Sequence, residues 1–170
     1  LANIGLYYIR DRDLLFKGID QTLGNPPGPS GEFYLTDAFQ YMVDQGSKIL
    51  TAPVEGWYDC GKPETLLETN GHLVRTTRGW VSPTAGVDST VLGDAVRVED
   101  GVMLEGSTIG SNVTIEEGAR IRNSSLWNCI IGPGAVIESS TLRDSIIGGH
   151  STVRGFNGKL SVADHSLVRG

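Results

Sequence analysis

Ile131-Gly132-Pro133-Gly134-Ala135-Val136-Ile137-Glu138-Ser139-Ser140-Thr141-Leu142-Arg143-Asp144-Ser145-Ile146-Ile147 holds four aliphatic anchors, at 131, 137, 142 and 147. The steps between them are six, five and five residues. An α-helix cannot produce this spacing, because its apolar period is 3.6. A half-buried strand alternates every second residue and runs unbroken. Steps of five and six therefore mean short strands joined by tight corners. Three steps close one coil, here of sixteen residues.

The pattern extends both ways. Its anchors are Val81, Val87, Leu92, Val98, Leu104, Ile109, Ile115, Ile121, Leu126, Ile131, Ile137, Leu142, Ile147 and Val153. A second inward register is small or β-branched. It holds Val96, Val102, Val113, Ala119, Ala135 and Ser151 in the six-residue steps, and Thr90, Ser107, Ser124, Cys129, Ser140 and Ser145 in the five-residue ones. One large and one small inward residue per face fill a narrow triangular prism. Glycine or an acid often follows the anchor, as at Gly93, Gly110, Glu116, Gly132 and Gly148, and glycine suits a corner. Hexapeptide repeats of this kind indicate a parallel β-helix over 81–170. Beyond Val153 the register lapses at 154–159, which predicts a loop and then a closing coil near Leu160, Val162 and Val168.

Residues 1–80 read as mixed α and β. Strands are expected over 3–9 and 48–54. Asp11 suits the cap of a helix carrying Leu14, Leu15, Ile19 and Leu23. Thr36 or Asp37 opens a second helix facing inward with Phe39, Met42 and Val43, and Gly46 ends it. Pro63 opens a third, with Leu66, Leu67, Leu73 and Val74 inward. Parallel strands separated by helices need neighbours on both sides. The segment therefore reads as an α/β fragment, the end of a larger sheet.

The chain has 170 residues, net charge −6 and an even division of that charge between its halves. With no basic block it is a poor partner for nucleic acid or an anionic membrane. No apolar run reaches the ~18 residues of a span, and no signal peptide is visible. Cys60 and Cys129 lie in different halves, so no disulfide framework is expected, and the composition reads as cytoplasmic. Leu1 is not an initiator Met, and a fragment is the expectation.

Three runs carry a resemblance. They are Ala2-Asn3-Ile4-Gly5-Leu6-Tyr7, Gly31-Glu32-Phe33-Tyr34-Leu35-Thr36-Asp37-Ala38, and Trp57-Tyr58-Asp59-Cys60-Gly61-Lys62-Pro63-Glu64 with Leu66, Leu67, Glu68 and Asn70 following. In this order they resemble the C-terminal part of a sugar-1-phosphate nucleotidylyltransferase, most nearly the long form of glucose-1-phosphate thymidylyltransferase. The resemblance covers nearly the whole chain and implies a left-handed coil for the β-helix. It implies transfer of a nucleotidyl group to a sugar 1-phosphate with Mg²⁺. Asp59 would be one of two metal aspartates, as the hardness of the ion suits. Asn3, Glu32 and Trp57 would border the sugar. Two departures stand out. The Gly-rich phosphate loop and the strand with the other aspartate are not within these residues, and Ser30 replaces the arginine usual before Gly31. The resemblance thus implies the sugar-side half of an enzyme, inactive alone, with an assembly module attached.

Other readings compete. Asp59 can cap the helix begun by Pro63, Trp57 can be plain core, Glu32 can be solvated, and Cys129 fits packing. Acyl transfer would need a histidine base, and His150 and His165 are the candidates. A purely structural role for the solenoid is the third reading. The outward column Arg97, Thr114, Ile130, Ile146, with Trp127 nearby, predicts an apolar stripe. Such a stripe suits a homotrimer, or a dimer of trimers.

Overall fold

The computed structural model describes residues 4–170, so Asn3 and the start of the first expected strand lie outside it. Two compact units divide between Trp57 and Tyr58. The boundary thus falls before α3 (Pro63–Thr76), which groups with the repeats and not with the preceding residues.

The repeat region is a parallel β-solenoid of about six turns. Each anchor stacks on its counterpart one coil later. The first face aligns Val81, Val98, Ile115, Ile131, Ile147 and Val162. The second aligns Val87, Leu104, Ile121, Ile137, Val153 and Val168. The third aligns Leu92, Ile109, Leu126, Leu142 and Gly158. The anchors from Val98 to Val153 are all buried, while Val81 and Val87 in the opening coil are exposed.

The register does not lapse after Val153. Strand Asn157–Gly158 continues the third face, with glycine at an anchor position. The periodic pattern fails there only because Gly158 has no side chain to display it. Phe156, partly buried against the core, approaches the space beside Gly158.

Serine recurs in the small columns because it bonds in two directions. The Ser107, Ser124 and Ser140 hydroxyls donate to the carbonyls of Glu105, Arg122 and Glu138. Each also accepts a backbone N–H from the next coil: Ser124 on Ser107, Ser140 on Ser124, and Phe156 on Ser140. Buried hydroxyls are thereby satisfied along a continuous ladder.

The glycines after the anchors serve close approach and not the corner conformation. Left-handed backbone falls elsewhere, for example at Ala95, Asn112, Asn128 and Asp144 in one corner and Gly101, Gly118, Gly134, His150 and His165 in another. A Cβ on Gly148 would lie 2.4 Å from backbone atoms of Ala163 and Asp164, and one on Gly132 would lie 2.6 Å from the Gly149 nitrogen. At Gly110 the obstacle is the Trp127 indole, which lies over it with the Arg143 guanidinium 4.4 Å beyond the ring centre. Trp127 therefore belongs to a stack of its own, away from Ile130.

Helix α3 covers the expected apolar stripe. It packs on strands Val113–Ile115, Ser125–Ile131 and Thr141–Ile147, and Ile130 and Ile146 are only partly exposed. Its inner face is Leu67, Gly71 and Val74, whereas Leu73 points outward at 54% exposure. Polar bonds set its register. Asn70 donates to the Asn112 carbonyl (3.2 Å) and accepts from the Thr114 hydroxyl (2.6 Å). Arg75 reaches the Asn112 side chain at 2.6 Å, and Lys159 meets Glu64 at 3.0 Å. The face bearing Ile130 and Ile146 is consequently not free for subunit contact.

Residues 4–57 contain α1 (Arg12–Leu23) and α2 (Leu35–Asp44) and, among the described residues, no strand. Segments 4–9 and 48–54 lack a ladder, and Leu6, Tyr8 and Leu50 are exposed. β-branched and aromatic content favours a strand only where a neighbour can accept its hydrogen bonds. The helices meet closely at Gly18, where a Cβ would lie 2.8 Å from the Ala38 carbonyl. Asp11 caps α1 through the Leu14 N–H, as its position predicted. Leu23 and Val43, expected inside, are exposed.

Two tests follow from the packing. Burial pushes the Cys129 thiol up to about 11, so it stays protonated near neutral pH. Cys129 should resist a thiol reagent in the folded protein while exposed Cys60 reacts. Cys129→Ser should cost under ~1 kcal/mol, because Ser145 fills the equivalent place one coil on, whereas Cys129→Leu should overpack by ~1–3 kcal/mol. Rapid modification of Cys129 would refute the inward register. In urea titrations, Gly148→Ala should lose about 3 kcal/mol by forcing coils apart. Gly118→Ala, left-handed but in open space, should lose only about 1 kcal/mol, and equal losses would contradict the close-approach account.

Candidate functional site

The loop before α2 is closed on itself. The Gly28 N–H donates to the Glu32 carbonyl (3.0 Å), and the Gly31 N–H to the Gly28 carbonyl (2.8 Å). The Ser30 hydroxyl bonds the Tyr34 hydroxyl. Ser30, in place of the usual arginine, thus serves the loop. Glu32 is exposed and borders a concavity of about 170 Å³ together with Gln21, Thr22, Phe33, Asp37 and Tyr41. Trp57 is 55% exposed, which removes the plain-core reading.

The second stretch is anchored to α3. The Asp59 carboxylate accepts the Gly61 N–H at 2.9 Å and so shapes the turn ahead of the helix. Thr65 accepts the Lys62 N–H (3.4 Å) and donates to the Lys62 carbonyl (3.1 Å), which suits a helix start with Pro63 at its first position. Tyr58 stacks on His72 of α3, with ring centres 4.3 Å apart and its hydroxyl 3.1 Å from Nδ1. The Tyr58–His72 pair carries no motif in the sequence, and only the fold of the loop onto the helix reveals it. Asp59 itself remains exposed.

Of the expected site residues, Glu32 and Trp57 lie in the first unit, Asp59 lies in the second, and Asn3 is outside the described residues. A magnesium ion prefers six oxygens in octahedral array and usually keeps one or two carboxylates, water and substrate phosphates. Among the described residues no group of three or more His, Cys, Asp and Glu could hold a metal. Asp59 alone, with one oxygen engaged by Gly61, does not make a magnesium site.

His150 and His165 stack on each other one coil apart, with ring centres 5.3 Å apart, at an exposed corner. Both occupy left-handed backbone. The inference that His150 points outward holds. Among the described residues no helix is long and apolar enough to cross a membrane.

No family model matches the chain. Several known proteins do. The chain is 32% identical over 198 residues to the low-salt glycan biosynthesis nucleotidyltransferase Agl11 of Haloferax volcanii, covering 95% of this chain and 54% of that protein. It is 31% identical over 165 residues to the bifunctional protein GlmU of Clostridioides difficile, covering 89% of this chain and 34% of GlmU. It is 28% identical over 131 residues to a glucose-1-phosphate thymidylyltransferase of Streptomyces griseus, covering 72% and 37%. The chain thus spans between about a third and about a half of the length of these curated relatives. Over most of its length the chain is similar to nucleotidyltransferases, a glucose-1-phosphate thymidylyltransferase among them.

Proposed function

We propose that these residues form the sugar-side half and the assembly module of a sugar-1-phosphate nucleotidylyltransferase. In the parent reaction a sugar-phosphate oxygen attacks the α-phosphorus of a nucleoside triphosphate. The bond from that phosphorus to the β-phosphate bridge breaks, and pyrophosphate leaves. Glucose 1-phosphate and a thymidine nucleotide are the substrates we favour, after the resemblance to thymidylyltransferases. Glu32 and Trp57 would border the sugar, with Asn3 beside them. Asp59 would supply one carboxylate to a magnesium ion whose other carboxylate comes from outside these residues. Such an enzyme would work in the cytoplasm, and its solenoid would bind a second copy of the chain.

One observation carries this reading. The run from Trp57 to Glu64 is exposed along its whole length, yet it is tied at Tyr58 and Lys62 to a helix that is itself bonded to the solenoid. A functional loop needs accessible side chains on a rigid support. A loop serving packing alone would bury its tryptophan.

The chain alone should not turn over. Mixed with thymidine triphosphate, glucose 1-phosphate and Mg²⁺, it should release no pyrophosphate above background. Ligand-observed NMR should still detect weak binding of glucose 1-phosphate, reduced in Trp57→Ala and Glu32→Ala. Steady pyrophosphate release lost in Asp59→Ala would overturn the proposed incompleteness. Absence of any sugar-phosphate binding would overturn the sugar-side assignment.

A further inference from the structure

The second face of the solenoid is built from six three-residue strands: Gly86–Asp88, Met103–Glu105, Arg120–Arg122, Val136–Glu138, Thr152–Arg154 and Leu167–Arg169. They pair in parallel, in register and without a break. The middle residue of each points inward, so the third points out. The resulting outward column reads Asp88, Glu105, Arg122, Glu138, Arg154, Arg169. Its charges run minus, minus, plus, minus, plus, plus.

Reversing that order and inverting every sign returns the same series. A column of this kind is complementary to itself turned end for end. We propose that the second face binds a second copy of this chain across a two-fold axis, with the two solenoids antiparallel.

The geometry selects one axis. It lies in the plane of the face, runs parallel to the strands and passes between Arg122 and Glu138. Rotation about it lays the charged column of one protomer on the charged column of the other. Asp88 then faces Arg169, Glu105 faces Arg154, and Arg122 faces Glu138, each pairing occurring twice as isologous contact requires. Parallel strands repeat at a uniform ~4.8 Å, so a register that fits one pair fits them all. The same rotation treats the other outward column, Gly86, Met103, Arg120, Val136, Thr152 and Leu167, in the same way. It sets Leu167 against Gly86, Met103 against Thr152, and Arg120 against Val136, a large side chain against a smaller one each time. With the solenoids parallel, each charged column would instead meet this mainly uncharged one.

The remaining faces do not compete. Helix α3 covers the first, and on the third the outward residues Val91, Thr108, Ser125, Thr141 and Asn157 carry no charge, while Arg143 in the neighbouring outward column is engaged over the Trp127 ring. On the second face Arg122 bonds Glu105 at 2.9 Å and Arg154 bonds Glu138 at 2.8 Å within the protomer. Asp88 and Arg169, at the two ends, hold no ion pair among the described residues. The pairing asks nothing of residues 4–57 and stands or falls apart from the enzymatic reading.

The end residues supply the test. They lie five strand spacings apart, ~24 Å, and cannot compensate each other within one chain. Sedimentation velocity at low ionic strength should show a wild-type dimer, dissociating as salt screens the facing charges. Asp88→Arg and Arg169→Glu, each placing like charges opposite at both ends of the face, should each raise the dissociation constant ~10-fold. Asp88→Arg/Arg169→Glu should restore it to within ~3-fold of wild type, with unchanged thermal melting throughout. A wild type that is monomeric at about 100 µM in low salt overturns the proposal. So does an oligomer of any size that the single variants leave intact, or a double variant no tighter than the singles.

Discussion

Coil-over-coil registration is the constraint on which the rest of the repeat region depends. A parallel ladder places a residue directly over its counterpart one coil earlier, so an inward column is a continuous line of contacts. Coil length can change only if all three faces change together. It does so here. The first-face anchors advance by seventeen, seventeen, sixteen, sixteen and fifteen residues, and the second-face anchors follow the same sequence. Deletions that shorten a coil fall in the corners, and the strands keep their register. The serine ladder follows from the same stacking: a hydroxyl that bonds its own strand also lies within reach of the next coil's N–H.

That rigidity is passed outward through one helix. Asn70 binds both Asn112 and Thr114, residues fixed by their place in the coil, and Leu67, Gly71 and Val74 lie flat beneath it. Gly71 is close-fitting, though less so than Gly132 and Gly148, since a Cβ there would lie 3.2 Å from the Asn112 side chain. The loop that opens α3 is fixed in turn through Tyr58, Asp59 and Lys62. Asp59 is thus oriented by bonds that trace back to the solenoid.

What was legible in the sequence was whatever repeats. The anchors from Val98 to Val153 and the small columns were placed by spacing alone, because the prism demands the same volume once per face. Gly158 hid a coil by having no side chain, although the chain there takes the same path. The role of the post-anchor glycines is not legible, because a glycine needed for space and one needed for a left-handed turn look identical in a sequence. Only the neighbouring atoms tell Gly148 from Gly118. The strands expected over 3–9 and 48–54 are not formed by the described residues 4–9 and 48–54 for another reason: strand propensity is a statement about neighbours, and the sequence does not name them. The site was legible only as a motif. Asp59 and Trp57 could be singled out, but not the Tyr58–His72 stack that holds their loop.

Outward residues of a solenoid are under no such shared demand, so a pattern among them points to something outside the coil. Arg97 and Thr114 give way to Ile130 and Ile146 along the first face. The sequence alone reads that change as an exposed stripe, yet it records where α3 lies. Intramolecular cover accounts for apolar outward residues without any partner. It cannot account for the charges exposed on the second face. Exposed ion pairs add little to the stability of one protomer, with each worth roughly 0–1 kcal/mol. The bonds from Arg122 to Glu105 and from Arg154 to Glu138 therefore do little to explain why the second face is charged at all. A column whose signs invert about its own midpoint gains meaning when it meets its own reverse, because each residue then has a partner at the height the coil repeat dictates. The same registration that builds the core thus gives the surface a ruler, and two copies of one chain carry the same ruler.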